Sequence, residues 1–371
     1  MKTVQLSLLQ TFFLLTAMII STGHFIFVRI VLIFTGRDGW MVVAPSIVLG
    51  SLVLISIIQL LKRFPNQTLI EITHNVFGKW LGRLLTIPYL LFFMAVPALL
   101  IRAIGDFLPT TMPSTPYSVM TTVIVVIACI TARLGIEVIG RCALLMLPML
   151  VVIGLLASLL TMKDKHYEYL LPMLETSFRG FLRGTATLSG LFAESVVVGM
   201  IFLHVPKKKL KTKPILVFFT IIGLMFIGPM TGPVAMFDIE SASKFHYPTF
   251  EEIRYIQIAN FLERLDVLGI VLWTFGTFLK ITTFIYALTI GLKQWFGLPD
   301  HKPLVFPLAI ILLLQSTGIA STRSEVWIYL MKVYPLFTLT VGLLLPWLTL
   351  LTSLIRKKGS PADSQESPAA A

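Results

Sequence analysis

Gly190-Leu191-Phe192-Ala193-Glu194-Ser195 sets a carboxylate in the middle of a hydrophobic, helix-length segment, with nothing nearby in sequence to neutralise it. An ionisable group at that depth is costly in lipid and by default marks a site rather than a scaffold. A second interruption, Ser21-Thr22-Gly23-His24, lies in the first hydrophobic segment. Around these breaks the chain is strongly apolar. Of its 371 residues 56% are hydrophobic and 13% charged, roughly half the charged share of a soluble domain. This composition predicts a polytopic membrane protein.

The formal charge of +12 would suggest a nucleic-acid partner in a soluble chain. Here it is explained by Lys and Arg gathered on one side of a membrane, and no nucleic-acid partner is expected. Cys129 and Cys142 both fall in apolar segments, so no disulfide framework and no paired-cysteine metal or redox motif is expected. The first apolar segment is too long for a signal-peptide core and lacks a convincing cleavage site, which predicts a retained span. The chain shows no catalytic triad, no paired glycosidase-like carboxylates and no phosphate-cradling glycine loop. Neither enzyme activity nor a cofactor is expected.

A helix needs about 20 apolar residues to cross the hydrocarbon. Ten segments qualify: 8–34, 40–61, 82–108, 117–134, 137–161, 186–205, 214–238, 265–290, 303–321 and 333–355. Their loops alternate in charge. One side collects Lys62, Arg63, Lys79, Arg83, Arg133, the lysines from Lys207 to Lys213, Lys293, Lys302 and Arg356-Lys357-Lys358. Positive loops stay in the cytoplasm, which predicts both termini there. The lysines from Lys207 to Lys213 are read mainly as a topology signal, with a further contact to anionic lipid. Residues 1–355 are expected to form one transmembrane domain, with 356–371 as a disordered cytoplasmic tail.

Two connections carry helix-start patterns. Thr68 with Glu71 reads as a capping box opening an interfacial helix, with Leu69, Ile72, Val76 and Trp80 on one face. Thr249 with Glu252 repeats the pattern outside, opening a helix with Ile253, Ile256, Ala259 and Leu262 inward. That helix is either a solvated loop element or a lid over an external vestibule.

Breaks in the first and sixth of ten spans divide the chain into two halves of five, about 8–161 and 186–355. Tandem repeats with an odd number of spans lie in opposite orientations, which predicts an all-α, five-plus-five inverted repeat. In such folds the ligand sits near the midplane, where broken helices free backbone groups toward a cavity.

Ser21-Thr22-Gly23-His24-Phe25 resembles the helix-one motif Gly-Ser-Gly-Ile-Phe of the amino acid–polyamine–organocation transporters. Phe192-Ala193-Glu194-Ser195 resembles their helix-six break. Three further stretches resemble the B subunits of bacterial spore germinant receptors. They are Arg63-Phe64-Pro65-Asn66-Gln67-Thr68 with Glu71, the run from Arg254 that ends Asn260-Phe261-Leu262-Glu263-Arg264-Leu265-Asp266, and Trp273. The resemblance implies a membrane subunit that binds a small nutrient, an amino acid, at the bilayer midplane. It also implies A and C partner subunits and residence in the inner membrane of the spore. Ser21 in place of the first glycine and His24 in place of an aliphatic residue depart from the transporter motif. They predict tighter backbone approach and a more polar cavity, so the ligand does not carry over. A proton-coupled amino acid permease and a ligand-gated water or ion pore are the alternatives.

The candidate ligand site comprises Ser21, Thr22, Gly23, His24, Phe192, Ala193, Glu194 and Ser195. Glu194 is either a neutral, hydrogen-bonded structural acid or a carboxylate that pairs with a ligand amine or carries a coupling proton. Gly23 and its neighbours serve either close helix packing or a ligand carboxylate held at a half-helix end. His24 faces either the core or the cavity, and Phe192 is a packing aromatic or a gate. Lys280 either snorkels to the interface or, by the resemblance, replaces a sodium ion between helices one and eight, with Glu194 or helix-one carbonyls as its partner. Arg254, Glu263, Arg264 and Asp266 are expected in an external lid or coupling element. Arg102 and Asp106, four apart, read as a helix-surface ion pair, with part of an external gate as the alternative.

Overall fold

The computed structural model describes residues 6–206, 210–256, 265–319 and 322–359. Among these residues every regular element is helical, the outcome that lipid imposes on backbone groups with no water to bond. Ser7 caps the first helix, its hydroxyl accepting the Gln10 N–H at 3.1 Å while the Gln10 side chain accepts the Ser7 N–H at 2.8 Å. From there α1 (Leu8–Thr22) runs through a π-helical turn, Gly23–Phe27, into α2 (Val28–Thr35). Gly36, at φ +55°, ends α2 in a conformation open to glycine.

A 3₁₀ turn, Gly36–Val42, then leads into α3 (Val43–Arg63). It is followed by α4 (Leu69–Phe77), α5 (Lys79–Phe107), α6 (Tyr117–Leu134) and α7 (Ile136–Leu160). Next, α8 (Phe178–Ala193) passes directly into a 3₁₀ stretch, Glu194–Met200. The second half continues as α9 (Thr212–Leu224), α10 (Ile227–Lys244), α11 (Pro248–Arg254), α12 (Asp266–Phe296), α13 (Val305–Gly318) and α14 (Arg323–Lys332). It ends with α15 (Tyr334–Leu339), a second π turn, Thr340–Leu344, and α16 (Leu345–Ile355).

Seven described stretches are long and apolar enough to cross a membrane: Leu8–Arg63, Lys79–Thr110, Tyr117–Leu134, Ile136–Asp164, Thr212–Lys244, Asp266–Phe296 and Tyr334–Ile355. Lys302–Gly318 with Arg323–Lys332, bent by 97°, makes an eighth if the pair is one span. The chain is therefore a multi-pass, all-α membrane protein. The difference from the ten expected segments lies in where helices break. Segments 8–34 and 40–61 share the 56-residue stretch Leu8–Arg63, divided at Gly36. Segment 186–205 holds the end of α8 and its 3₁₀ continuation, neither long enough to qualify alone.

That broken segment is the best shielded part of the molecule. Every residue from Thr187 to Phe202 is buried, as irregular backbone within a membrane requires. The other centre is α12, buried on all faces from Gly276 to Thr289 and packed against α1, α5, α6 and α7. A helix buried all round is the expected place for an unbroken apolar sequence. Outward faces stay apolar, as with Leu145, Leu155 and Leu159 on α7 and Ile310 and Leu314 on α13.

The two helix-start patterns diverge. Thr68 and Glu71 form their capping box, with Thr68 N–H donating to Glu71 at 2.8 Å, and Leu69, Ile72 and Val76 are buried. Trp80 is not on that face: it lies in α5, 81% exposed. The Thr249–Glu252 capping box does not form. Pro248 opens α11 after an uncapped Tyr247, Thr249 donates to the His24 carbonyl at 2.8 Å, and Glu252 turns inward. Ile253 and Ile256 are buried as expected, whereas Ala259 and Leu262 lie outside the described residues.

α1 and α12 meet where neither has bulk. A Cβ on Gly276 would stand 2.5 Å from that of Ser21. Gly276→Val is expected to destabilise the fold by about 1–3 kcal/mol through overpacking, lowering the melting temperature of the detergent-solubilised protein. Gly228→Ala, with nothing within 4 Å of the added carbon, should melt like the wild type. Equal melting of the two variants would contradict this contact.

Candidate functional site

At the end of α8 the backbone tightens from α to 3₁₀ geometry, and this turn brings the Glu194 carboxylate inward, its side chain 3% exposed. Its Oε2 forms an ion pair with Lys280 Nζ, and its Oε1 accepts a hydrogen bond from the Tyr334 hydroxyl. Lys280, whose side chain is fully buried, also donates to Thr22 Oγ1. Lys280 therefore does not snorkel, and its partner is Glu194 together with a helix-one hydroxyl. One cluster ties α1, the break after α8, α12 and α15. Three departures from α geometry surround it: the π turns Gly23–Phe27 and Thr340–Leu344 and the 3₁₀ stretch itself. Such turns recur at functional sites. Gly342 makes the approach feasible, since a Cβ there would lie 2.5 Å from the Ala193 carbonyl oxygen.

The remaining expected ligand residues separate into two environments. Gly23 is a packing contact, where an added Cβ would stand 2.2 Å from the Phe226 ring and 2.8 Å from Leu191. Phe192 is fully buried, with ring centroids 5.2 Å from Phe226 and 5.6 Å from Phe219. Ala193 packs on Gly342, and Ser195 Oγ is buried without a hydrogen-bond partner.

Ser21 and His24 instead line a cavity of about 280 Å³ between α1, α7, α9, α10, α11 and α12. Ser21 donates to the Ala17 carbonyl at 2.7 Å. His24 packs edge-on to Phe226 at 4.7 Å, and its Nε2 has no partner. The cavity includes neither Glu194 nor Lys280 among its lining residues.

Other expected positions lie farther out. Arg254 pairs with Glu251 at 3.3 Å and is half exposed, and Asp266 accepts the Val267 N–H at 3.1 Å at the start of α12. Glu263 and Arg264 lie outside the described residues, as do Lys207, Lys208 and Lys209. Arg102 and Asp106 form their i,i+4 pair at 3.1 Å, each side chain 14% exposed. Arg323 donates to the Asp106 carbonyl at 2.8 Å, which joins α5 to α14. Among the described residues no group of three or more His, Cys, Asp or Glu could hold a metal.

Sequence reasoning missed Tyr334, which follows no recognisable motif, and it missed Lys165. Glu252 it assigned to a capping role. The structure instead places Lys165 Nζ 2.7 Å from Glu252 Oε1, with side-chain exposures of 7% and 9%.

A carboxylate and an ammonium sealed inside a bundle of broken and unbroken membrane helices define an integral membrane protein built around a central charge pair. A sequence profile described as "Spore germination protein" matches residues 5–324, and the chain belongs to that family. It is similar to spore germination protein KB of Bacillus subtilis strain 168, at 26% identity over 331 residues, covering 87% of this chain and 88% of the relative. Spore germination protein YndE of the same strain is 23% identical, covering 82% and 87%. Spore germination protein XB of Bacillus anthracis is 25% identical, covering 72% and 76%.

Leaving one member of a buried ion pair unpaired costs roughly 3–5 kcal/mol. Lys280→Met is expected to lose stability on that scale, and adding Glu194→Gln should recover much of it. Melting temperatures of the two single variants and the double variant check the coupling. A double variant whose loss equals the sum of the single losses would show that the residues do not act as a pair.

Proposed function

We propose that the chain is the integral-membrane subunit of a spore germinant receptor, in which a small nutrient, an amino acid, binds inside the bundle and triggers germination. The observation that carries this reading is the Glu194–Lys280 pair, buried where both helix breaks meet. A buried pair contributes little net stability compared with apolar packing, so its retention in a helix break is better explained by a state that opens it. Family membership supplies the process, spore germination.

In this reading the ten apolar segments form the five-plus-five inverted repeat. The first and sixth segments carry the breaks, and repeats 8–161 and 186–355 make one domain. Both termini are cytoplasmic, 356–371 is a tail, and the protein resides in the inner spore membrane with A and C subunits. Ligand meets the first break from the side of Ser21 and His24, while Glu194 and Lys280 hold the sixth and eighth segments until it arrives. The segment from Arg254 to Asp266, including Glu263 and Arg264, couples binding to the partner subunits. Lys280, donating to Thr22, occupies the place between helices one and eight that a sodium ion fills in related transporters. A proton-coupled permease is the second reading, favoured by the same pair because it joins both broken helices.

Spores carrying Glu194→Gln in this chain at normal level should need less nutrient for half-maximal germination, about tenfold less for each 1.4 kcal/mol by which the lost pair favoured the closed state. Exchanging sodium for potassium should change nothing in the wild type. Wild-type sensitivity of the Gln variant would retire the pair as a switch, and a steep sodium requirement would remove Lys280 from the ion's place. Concentrative uptake by vesicles holding this chain alone would favour the permease.

A further inference from the structure

The cavity beside the first break has a charged end that the reading above does not use. Lys165, in the segment after α7, and Glu252, on α11, close on each other at 2.7 Å, and Thr161 donates to the same carboxylate oxygen at 3.1 Å. Both charged residues line the cavity. Two more lining residues hold buried polar atoms without a hydrogen-bond partner, His24 Nε2 and Trp273 Nε1. Buried polar atoms are normally paired, and each exception needs an explanation. Apart from Ser21, Ser158 and Thr249 the rest of the wall is apolar, with Ile20, Leu150, Ile253 and Leu272.

We propose that this cavity binds a small zwitterion with an apolar side chain, its ammonium on Glu252 and its carboxylate on Lys165 with the Trp273 N–H. The proposal rests on the reading that the chain senses a small nutrient, and it names both the place and the chemical class. Charge balance selects the ligand. In the closed state Lys165 and Glu252 neutralise each other. A zwitterion entering between them supplies one opposite charge to each, so two ion pairs replace one and no charge is left over. A lone carboxylate or a lone amine would leave one of these two largely buried charges unpaired, which is strongly unfavourable. At about 280 Å³ the space suits one molecule of leucine size, near the lower end of small-molecule pockets. The unpaired Nε2 of His24 offers a further polar contact, and the Thr249 hydroxyl on the His24 carbonyl ties α11, which carries Glu252, to the π turn of α1.

The test is binding of tritiated L-leucine to the purified full chain in lipid nanodiscs, with competition by 4-methylpentanoate and by leucinol. These two analogues keep the side chain but each lacks one charge. Leucine should bind saturably, and each analogue should compete at least about 100-fold more weakly. Gly154→Leu projects into the cavity, since its Cβ would meet Leu272 only at an ordinary 3.7 Å. It should abolish binding while melting like the wild type, and Glu252→Gln should weaken binding more than tenfold. No saturable leucine binding by the wild type, equal competition by either analogue, or undiminished binding by a folded Gly154→Leu variant would each overturn the proposal. The last two would leave the receptor reading standing. If spores lacking this chain respond to every apolar amino acid as before, that reading itself fails, and the proposal fails with it.

Discussion

The ion pair between Glu194 and Lys280 is the constraint to which the rest of the bundle conforms. Inside a membrane protein neither charge can be left to water, and each must find a partner within reach of a short side chain. Glu194 reaches Lys280 only because α8 stops at Ala193 and tightens into a 3₁₀ stretch. Lys280 reaches it only because α12 runs unbroken through the middle of the molecule, with neighbours on every side. The hydroxyls of Thr22 and Tyr334 complete the cluster, so α1 and α15 must approach as well. Four elements distant in sequence are thereby held in one register, which nonpolar packing alone would specify less sharply.

Space for that approach comes from residues without bulk. Gly276 lets α12 lie against Ser21, Gly342 lets the second π turn lie against Ala193, and Gly23 admits the Phe226 ring. At the first break Gly23 thus serves packing, while its neighbours Ser21 and His24 line a cavity. The small size of these glycines serves the approach of helices, and the cavity, of about 280 Å³, lies to the side, between α1 and α7.

Much of this was legible in the sequence because lipid leaves few options. The apolar runs predicted helices, Glu194 and Ser21–His24 predicted breaks, and helical breaks stand at both places. Glu194 was also named as a partner for Lys280. What sequence could not supply was direction. Ser21, Thr22, Gly23 and His24 are consecutive, yet Ser21 and His24 face the cavity, Thr22 faces Lys280, and Gly23 faces Phe226. Neighbouring positions on a helix point about 100° apart, and a break obscures which way each one turns. Glu252 shows a second limit. The spacing Thr249–Glu252 satisfies the capping-box pattern, but Pro248 already starts the helix and Thr249 is taken by the His24 carbonyl, so the carboxylate is free to meet Lys165.

The two charged clusters are mechanically joined by the same few residues. Lys165 and Glu252 stand at one end of the cavity, and α11 is fixed to the first break by Thr249 on His24. Two residues earlier, Thr22 holds Lys280 and through it Glu194. A displacement of α11 toward or away from the bundle must therefore act on the π turn Gly23–Phe27, where helical hydrogen bonding is already loosened and a shift costs less than in a regular helix. Tightly packed interiors transmit such shifts instead of absorbing them, and here the segment between the clusters is packed against Phe226, Leu191 and Gly276. A change at the Lys165–Glu252 pair thus has a short, continuous route to the central one, through Thr249 on His24 and Lys280 on Thr22.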